Sequence, residues 1–400
     1  MSDKKKDDKF EAFFKSFADS EEELDFHRAH EVLAEKVKVI PTGSLALDDA
    51  LSSGGLPCGR LIQYYGPPGS GKTLMAMIAM LEAQKLDPTA QQVFIDAEQT
   101  FSPTWARQLG LNLSKVIVVD GDTAVNGRKC FEMLLGVPKE EAKTHIYKGK
   151  SKEGLFDKIA SKELNINIIV LDSLGSLIPP GEDISAVGKM NISLLARFLA
   201  TTLKKVSLEV NKAGIPFIII NHKKANMDPY SGDHTYSGGN TYSHFLSANV
   251  YFEAINAKDS RIVDEKENKI GQALRATIEK SKFGIWPRKC EFKIEFTKGI
   301  VEQESEIAGL ALAYDVVSKP SNVSYVYEDR KWVGMPAFCE AIAADSKLAQ
   351  ELVAKVAQAR DTKWDRERAE QEKLSSTTEE LKLETAETET DKSKKSRKAS

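Results

Sequence analysis

Between Leu61 and Leu74 the chain reads LIQYYGPPGSGKTL: an apolar run breaks into glycine and proline, and an apolar-periodic segment, MAMIAMLEA, follows at once. The order predicts a buried strand, a tight loop and a helix, with the spacing GxxxxGK[ST] filled by Gly66, Gly71, Lys72 and Thr73. Glycines are needed because the backbone must curl until successive N–H groups point inward at an anion, while the helix N-terminus adds favourable partial charge. The loop Gly66, Pro67, Pro68, Gly69, Ser70, Gly71, Lys72, Thr73, Leu74 is therefore read as a phosphate cradle. Lys72 reaches the β- and γ-phosphates, and the Thr73 hydroxyl ligates magnesium.

A loop of this kind needs a parallel sheet around it, and 400 residues with 41% apolar content can supply one. The first residues, MSDKKKDDKF, are charged and carry no apolar core, and no run of about 18 apolar residues occurs, so neither export nor a membrane span is expected. Cys58, Cys130, Cys290 and Cys339 form no CxxC pair, which argues against zinc or redox motifs and fits a cytoplasmic setting. A net charge of −3 excludes wholesale basic attraction to nucleic acid, so any such contact must come from local clusters.

Further apolar runs give the rest of the sheet. Gln92–Asp96 reads as a strand that delivers Glu98 to its carboxyl end, the edge at which open α/β sheets bind ligands. There Glu98 either orients or deprotonates an attacking water, or merely caps the next helix. Trp105, in PTWARQLG, belongs either to the core or over a nucleotide base. Val116–Asp120 is a third strand, followed by a long connection to Asn165 whose middle, PKEEAKTHIYKGKSKEG, is a polar surface insertion. Ile166–Asp172, INIIVLD, is a strand ending in an acid; Asp172 is then expected to hold the magnesium shell through water, with Ser173 assisting.

After the breaker-rich PPGEDISAVGKM a long helix is expected, its buried stripe formed by Ile192, Leu195, Leu199, Leu203, Val206 and Val210. Arg197 and Lys204 share another face, either as a basic ridge or as an ordinary solvated surface. Pro216–Asn221 is the fifth strand; His222 then opens HKKANMDPYSGDHTYSGGN, where Lys223 and Lys224 alternate with Tyr230 and Tyr236 among glycines. Cations and rings interleaved on a flexible loop suit single-stranded nucleic acid. Ala248–Ile255, Gln272–Lys280 and Glu291–Phe296 complete the strands, with the charged KDSRIVDEKENKIG as a connector. At the amino end Phe10, Phe13, Phe14 and Phe17 form a helical stripe that covers either its own domain or a neighbouring subunit.

The motifs together resemble the RecA family of recombinases from about Val39 to Arg360. VIPTGSLALDDALSSGGLPCGR, YGPPGSGKT, FIDAEQTFSPTWARQLG, IIVLDS, FIIINH, YSGGN and IEKSKFG follow one another in that family's order. The resemblance implies an α/β fold: a RecA-like P-loop ATPase core (39–300) with a mostly parallel central sheet flanked by helices. A short N-terminal oligomerisation segment (1–38) precedes it, and a small α+β C-terminal domain (301–360) and a charged tail (361–400) follow. It further implies a DNA-dependent ATPase using ATP and Mg2+, which forms a homo-oligomeric helical filament on single-stranded DNA and exchanges strands with homologous double-stranded DNA. A single-strand-binding protein and a mediator are the implied helpers.

Residue by residue, the resemblance makes Glu98 the catalytic carboxylate, Asp172 and Thr73 the metal ligands, and His222 the nucleotide sensor. Trp105 stands where the family stacks a tyrosine on adenine. Lys280 and Lys282 match a pair that reaches a neighbour's γ-phosphate. Glu182–Met190, backed by Arg197 and Lys204, is the first DNA loop; Lys223–Tyr236, with Lys224, Tyr230 and then Gly238, Gly239 and Asn240, is the second. The Asn221–His222 pair looks like the UvsX-type recombinases of large phages. The weighed alternative, a hexameric helicase on the same fold, is expected to carry a sizeable N-terminal helical domain, whereas about 60 residues precede the loop here. A branch-migration ATPase of the RadA type is expected to show an N-terminal CxxC module, which the sequence lacks.

Overall fold

The computed structural model describes residues 37–137, 151–181, 192–225, 234–257, 260–284 and 287–366. The phenylalanine stripe, the 138–150 insertion, the Glu182–Met190 loop, Tyr230 and residues 367–400 lie outside the described residues. The described elements from Ile40 onward belong to one compact unit.

Eleven strands form one sheet: β1 (Leu61–Gly66), β2 (Gln91–Asp96), β3 (Val116–Val119), β4 (Ile166–Asp172), β5 (Phe217–Ala225), β6 (His234–Tyr236), β7 (Ala248–Ala254), β8 (Arg261–Val263), β9 (Lys269–Ser281), β10 (Arg288–Glu295) and β11 (Gly299–Val301). Along the sheet the order is β11-β10-β9-β7-β1-β5-β4-β2-β3, with β8 beside β9 and β6 beside β5. From β7 to β3 neighbouring strands run parallel, whereas β9, β10 and β11 add antiparallel. Parallel strands require crossover connections, and helices placed on both faces leave each strand a nearly continuous apolar run.

Alternation along the strands feeds two cores. Ile62, Phe94, Ile168, Val170, Ile218 and Val250 face the helix Lys72–Leu86, which is apolar almost all round and accordingly buried. Leu61, Val93, Ile95, Ile169, Leu171 and Ile219 face the other way, against the helices Gly127–Leu135 and Ile192–Ala213. In the second of these helices Leu199, Leu203, Val206 and Val210 supply the buried stripe that the periodicity predicts. The polar insertion springs from a pinned base, where Val137 N donates to Lys152 O at 2.7 Å and Lys152 N returns to Val137 O at 3.1 Å.

Beyond β11 a third core gathers the helix Gln303–Ala313, a three-stranded antiparallel sheet over Ser318–Val333, the helix Met335–Ala344 and a last helix over 346–366. It is tied back to the helix Leu45–Ala50. The Glu306 carboxylate accepts from Ser44 Oγ at 2.7 Å and from Ala46 N at 2.8 Å, and Asp49 accepts from Arg288 and Tyr314.

Candidate nucleotide and DNA site

The carboxyl ends of β1, β5, β4 and β2 lie side by side, so four short segments distant in sequence meet at one edge. Gly66 is in register with His222, and Asp96 with Asp172. This topology brings Lys72, Thr73, Glu98, Asp172 and His222 together.

The phosphate loop departs from β1 under tight steric control. A Cβ on Gly66 would overlap the carbonyl oxygen of Phe252 on β7, and one on Gly71 would come within 2.8 Å of Leu274 Cδ1. Gly69 and Gly71 have φ of +72° and +83°, the left-handed region that glycine enters without penalty. Gln272 on β9 steadies the loop by donating to Gly69 O at 2.9 Å. Ser70 Oγ is buried and meets no hydrogen-bond partner among the described residues, which marks a polar group awaiting one. Lys72 Nζ curls over the loop, donating to Pro67 O at 2.8 Å and to Gly66 O at 3.2 Å, and burial holds its pKa below the usual lysine value.

Thr73 Oγ1 donates to Asp172 Oδ2 at 2.6 Å, so the hydroxyl and the carboxylate already sit together at the strand ends. Burial pushes the Asp172 carboxyl up to about 6, opposed by the Thr73 hydrogen bond. A divalent cation would reverse that penalty, and the oxygen-only pair suits a hard ion such as magnesium. These residues therefore fit the group the sequence implies.

Glu98 sits in the turn after β2. That turn is shaped by Asp96, whose carboxylate accepts from Thr100 N at 3.0 Å and from Phe101 N at 2.8 Å. It is also pinned to β4, where Asp172 O accepts from Ala97 N at 2.7 Å and from Glu98 N at 3.1 Å. Glu98 Oε1 meets His222 Nε2 at 2.5 Å and accepts from Ser173 Oγ at 2.5 Å, with Ser176 Oγ at 3.5 Å. The histidine bond foremost, then Ser173 and the Lys72 charge, hold the Glu98 carboxyl down to about 2 against the opposing cost of burial. It is a fixed carboxylate at neutral pH. Nothing local marks Ser176 or Gln272 strongly: the first is a serine four residues after the strand acid Asp172, and the second lies 203 residues from the loop it touches.

The other predicted residues sit farther out. Trp105 packs half-buried against the core on the Lys72–Leu86 side, and its indole N–H donates to Phe296 O. Arg197 and Lys204 are exposed on the long helix. The second loop begins differently from the sequence reading: β5 continues through Lys223 and Lys224 to Ala225 and pairs antiparallel with β6, so Lys223 faces Tyr236 and Lys224 faces Thr235. Lys223 donates to Tyr251 Oη at 3.0 Å, whereas Lys224 is exposed. Gly238 caps the helix Gly239–Phe245, which contains Asn240. Lys280 Nζ donates to Ser243 O at 2.5 Å at the end of that helix, and Lys282 is exposed.

A family model described as the RecA N-terminal domain matches residues 23–138 and 149–301. The chain belongs to the RecA family. Its fold, a mostly parallel sheet between helices, is the RecA-like α/β core. Protein RecA of Porphyromonas gingivalis is 32% identical over 327 residues, covering 81% of this chain and 86% of that protein. Protein RecA of Bacteroides thetaiotaomicron is 32% identical over 320 residues, covering 80% and 86%. Protein RecA of Leptospira biflexa is 31% identical over 297 residues, covering 74% and 68%. The family match is interrupted at 139–148, inside the polar insertion of this RecA-family chain.

Proposed function

We propose that this chain is an ATP-dependent DNA recombinase that polymerises on single-stranded DNA and exchanges strands with a homologous duplex. The observation that carries the reading is the convergence of Lys72, Thr73, Asp172, Glu98 and His222 at adjacent strand ends, in a chain similar to RecA proteins over most of its length. Lys72 binds the β- and γ-phosphates, and Ser70 offers its unpartnered hydroxyl within the same loop. Thr73 and Asp172 are the residues that would hold a magnesium ion, which would supply charge neutralisation at the phosphate oxygens.

Glu98, ionised and held by His222 and Ser173, is a weak base but a fixed acceptor, so it orients the attacking water more than it deprotonates it. His222 has two acceptors to choose between. Its Nε2 bonds Glu98 here, and a γ-phosphate oxygen competes for the same nitrogen. Because His222 and Lys223 lie on one strand that pairs with the returning β6, a shift of the imidazole moves the start of the DNA loop. Arg197, Lys204, Lys223, Lys224, Tyr230, Tyr236 and the Gly238–Asn240 turn bind DNA, with Trp105 beside the base. Lys280 and Lys282 act on the neighbouring protomer's γ-phosphate, and residues 1–38 join protomers. The Asn221–His222 pair supports a phage-encoded source, acting in the host cytoplasm with a single-strand-binding protein and a mediator. Among the described residues no helix is long and apolar enough to cross a membrane.

The direct test is strand transfer from a linear duplex to a homologous single-stranded circle. Joint molecules that need ATP, magnesium and homology support the reading; ATP-driven unwinding of a forked duplex without pairing overturns it.

A further inference from the structure

Four adjacent strands contribute to one polar chain: the buried amides Asn221 on β5, Gln63 on β1 and Asn249 on β7, and the half-buried Glu279 on β9. Asn221 Nδ2 donates to Gln63 Oε1 at 3.0 Å, Gln63 Nε2 to Asn249 Oδ1 at 2.8 Å, and Asn249 Nδ2 to Glu279 Oε2 at 3.2 Å. The Tyr65 hydroxyl, one residue before the phosphate loop, also donates to Glu279. Gln63 and Asn221 are fully buried. Apolar residues would build the same strands without the cost of burying amides, so a completely bonded chain of them argues for a role beyond packing.

Glu279 is also where the ladder slips. Ile278 faces Val250 and Lys280 faces Asn249, which leaves Glu279 as the extra residue of a β-bulge. A bulge changes which face the following side chains point to, because side chains alternate along a strand. The next residue is Lys280. Its ammonium rests on Ser243 O at 2.5 Å, at the end of the helix that follows the second DNA loop. At the opposite end of the polar chain, Asn221 donates to Ser237 O at 2.8 Å and accepts from His222 N at 2.9 Å.

We propose that Glu279 is a positioning residue for Lys280: tethered by Tyr65 and Asn249, it fixes the bulge that aims the lysine. The proposal rests on the reading that Lys280 acts on a neighbour's nucleotide. Glu279 sets the phase of β9 and ties it to the strand that leads into the phosphate loop. Replacing it with alanine frees the bulge to migrate and lets Lys280 sample the wrong face.

The test is steady-state, DNA-stimulated ATP hydrolysis by full-length Glu279→Ala, Glu279→Gln, Lys280→Ala and the Glu279→Ala/Lys280→Ala double variant. If Glu279 works through Lys280, Glu279→Ala lowers kcat about tenfold or more with little change in KM, and the double variant is no slower than Lys280→Ala alone. Glu279→Gln, which keeps a carbonyl acceptor, recovers most of the rate. Glu279→Ala mixed with Lys72→Ala protein regains hydrolysis, because the second protomer brings an intact Glu279 and Lys280 to the first one's site. Should the alanine variant fail to fold, Tyr65→Phe carries the same test by removing one tether, with a smaller fall in kcat at constant KM. Unchanged kcat, or losses that multiply in the double variant, overturn the proposal. An unchanged Lys280→Ala rate overturns the reading of Lys280 and this proposal with it, whereas a slow Lys280→Ala beside a normal Glu279→Ala overturns the proposal alone.

Discussion

His222 Nε2 lies 2.5 Å from Glu98 Oε1, joining the ends of β5 and β2 across β4, which stands between them. In the function proposed above, the pair links the catalytic carboxylate to β5, the strand that runs on through Lys223 and Lys224. Neither residue reaches the other by local sequence, since 124 positions separate them. The parallel order of the sheet alone brings them together.

That link predicts how nucleotide state reaches DNA. His222→Ala is expected to bind ATP while losing most of the difference in single-stranded DNA affinity between an ATP analogue and ADP. His222→Gln keeps a good part of it, because an amide also donates. Fluorescence anisotropy at one fixed salt concentration reads this, since phosphate contacts make affinity steeply salt-dependent. An alanine variant with the wild-type ratio places the coupling elsewhere.

The two ends of the phosphate site are expected to fail in different ways. Lys72→Ala removes a contact made to ground-state phosphates and loses nucleotide-dependent DNA binding. Glu98→Gln keeps binding and loses turnover by about a hundredfold or more, as expected for a group that acts on water in the transition state. Nucleotide affinity and single-turnover hydrolysis separate the two; normal turnover in Glu98→Gln removes the assignment.

Asp48, buried on the helix Leu45–Ala50, predicts a pH dependence of stability. Burial pushes the Asp48 carboxyl up to about 7, with Glu306 adding to the rise and Thr42 and Arg360 opposing it. Its neutral form therefore favours folding fully below the ordinary carboxylate range, and this contribution is lost as pH rises through about 7. Above that, the folded chain must hold a buried charge, at a cost of up to ~4 kcal/mol. Asp48→Asn, which keeps an acceptor for Thr42 N, should raise the melting temperature at pH 8 and leave it nearly unchanged at pH 5. Equal shifts at both values contradict the assignment.

Most of the sheet was legible because buried parallel strands are short apolar runs, and Ile166–Asp172 and Leu61–Tyr65 announce themselves as such. The phosphate loop was legible because its glycines obey a spacing that sterics impose. What stayed hidden depends on pairing. β6 lies in a stretch of breakers and forms only because β5 runs on past His222 to meet it. β8 lies within a charged connector and is held by β9. Gln63 and Asn249 interrupt otherwise apolar strands without any local sign that they bond each other. Glu306 reaches Ser44 across 262 positions, which no periodicity reports. Helix continuing to 366 was likewise unexpected in a segment read as tail.

Negative-stain electron microscopy of the full-length protein with single-stranded DNA, magnesium and an ATP analogue distinguishes a filament from a ring. Extended helical filaments are expected along the DNA, shortening or dispersing when ADP replaces the analogue. Closed rings of fixed subunit number, unchanged by DNA length, would contradict it.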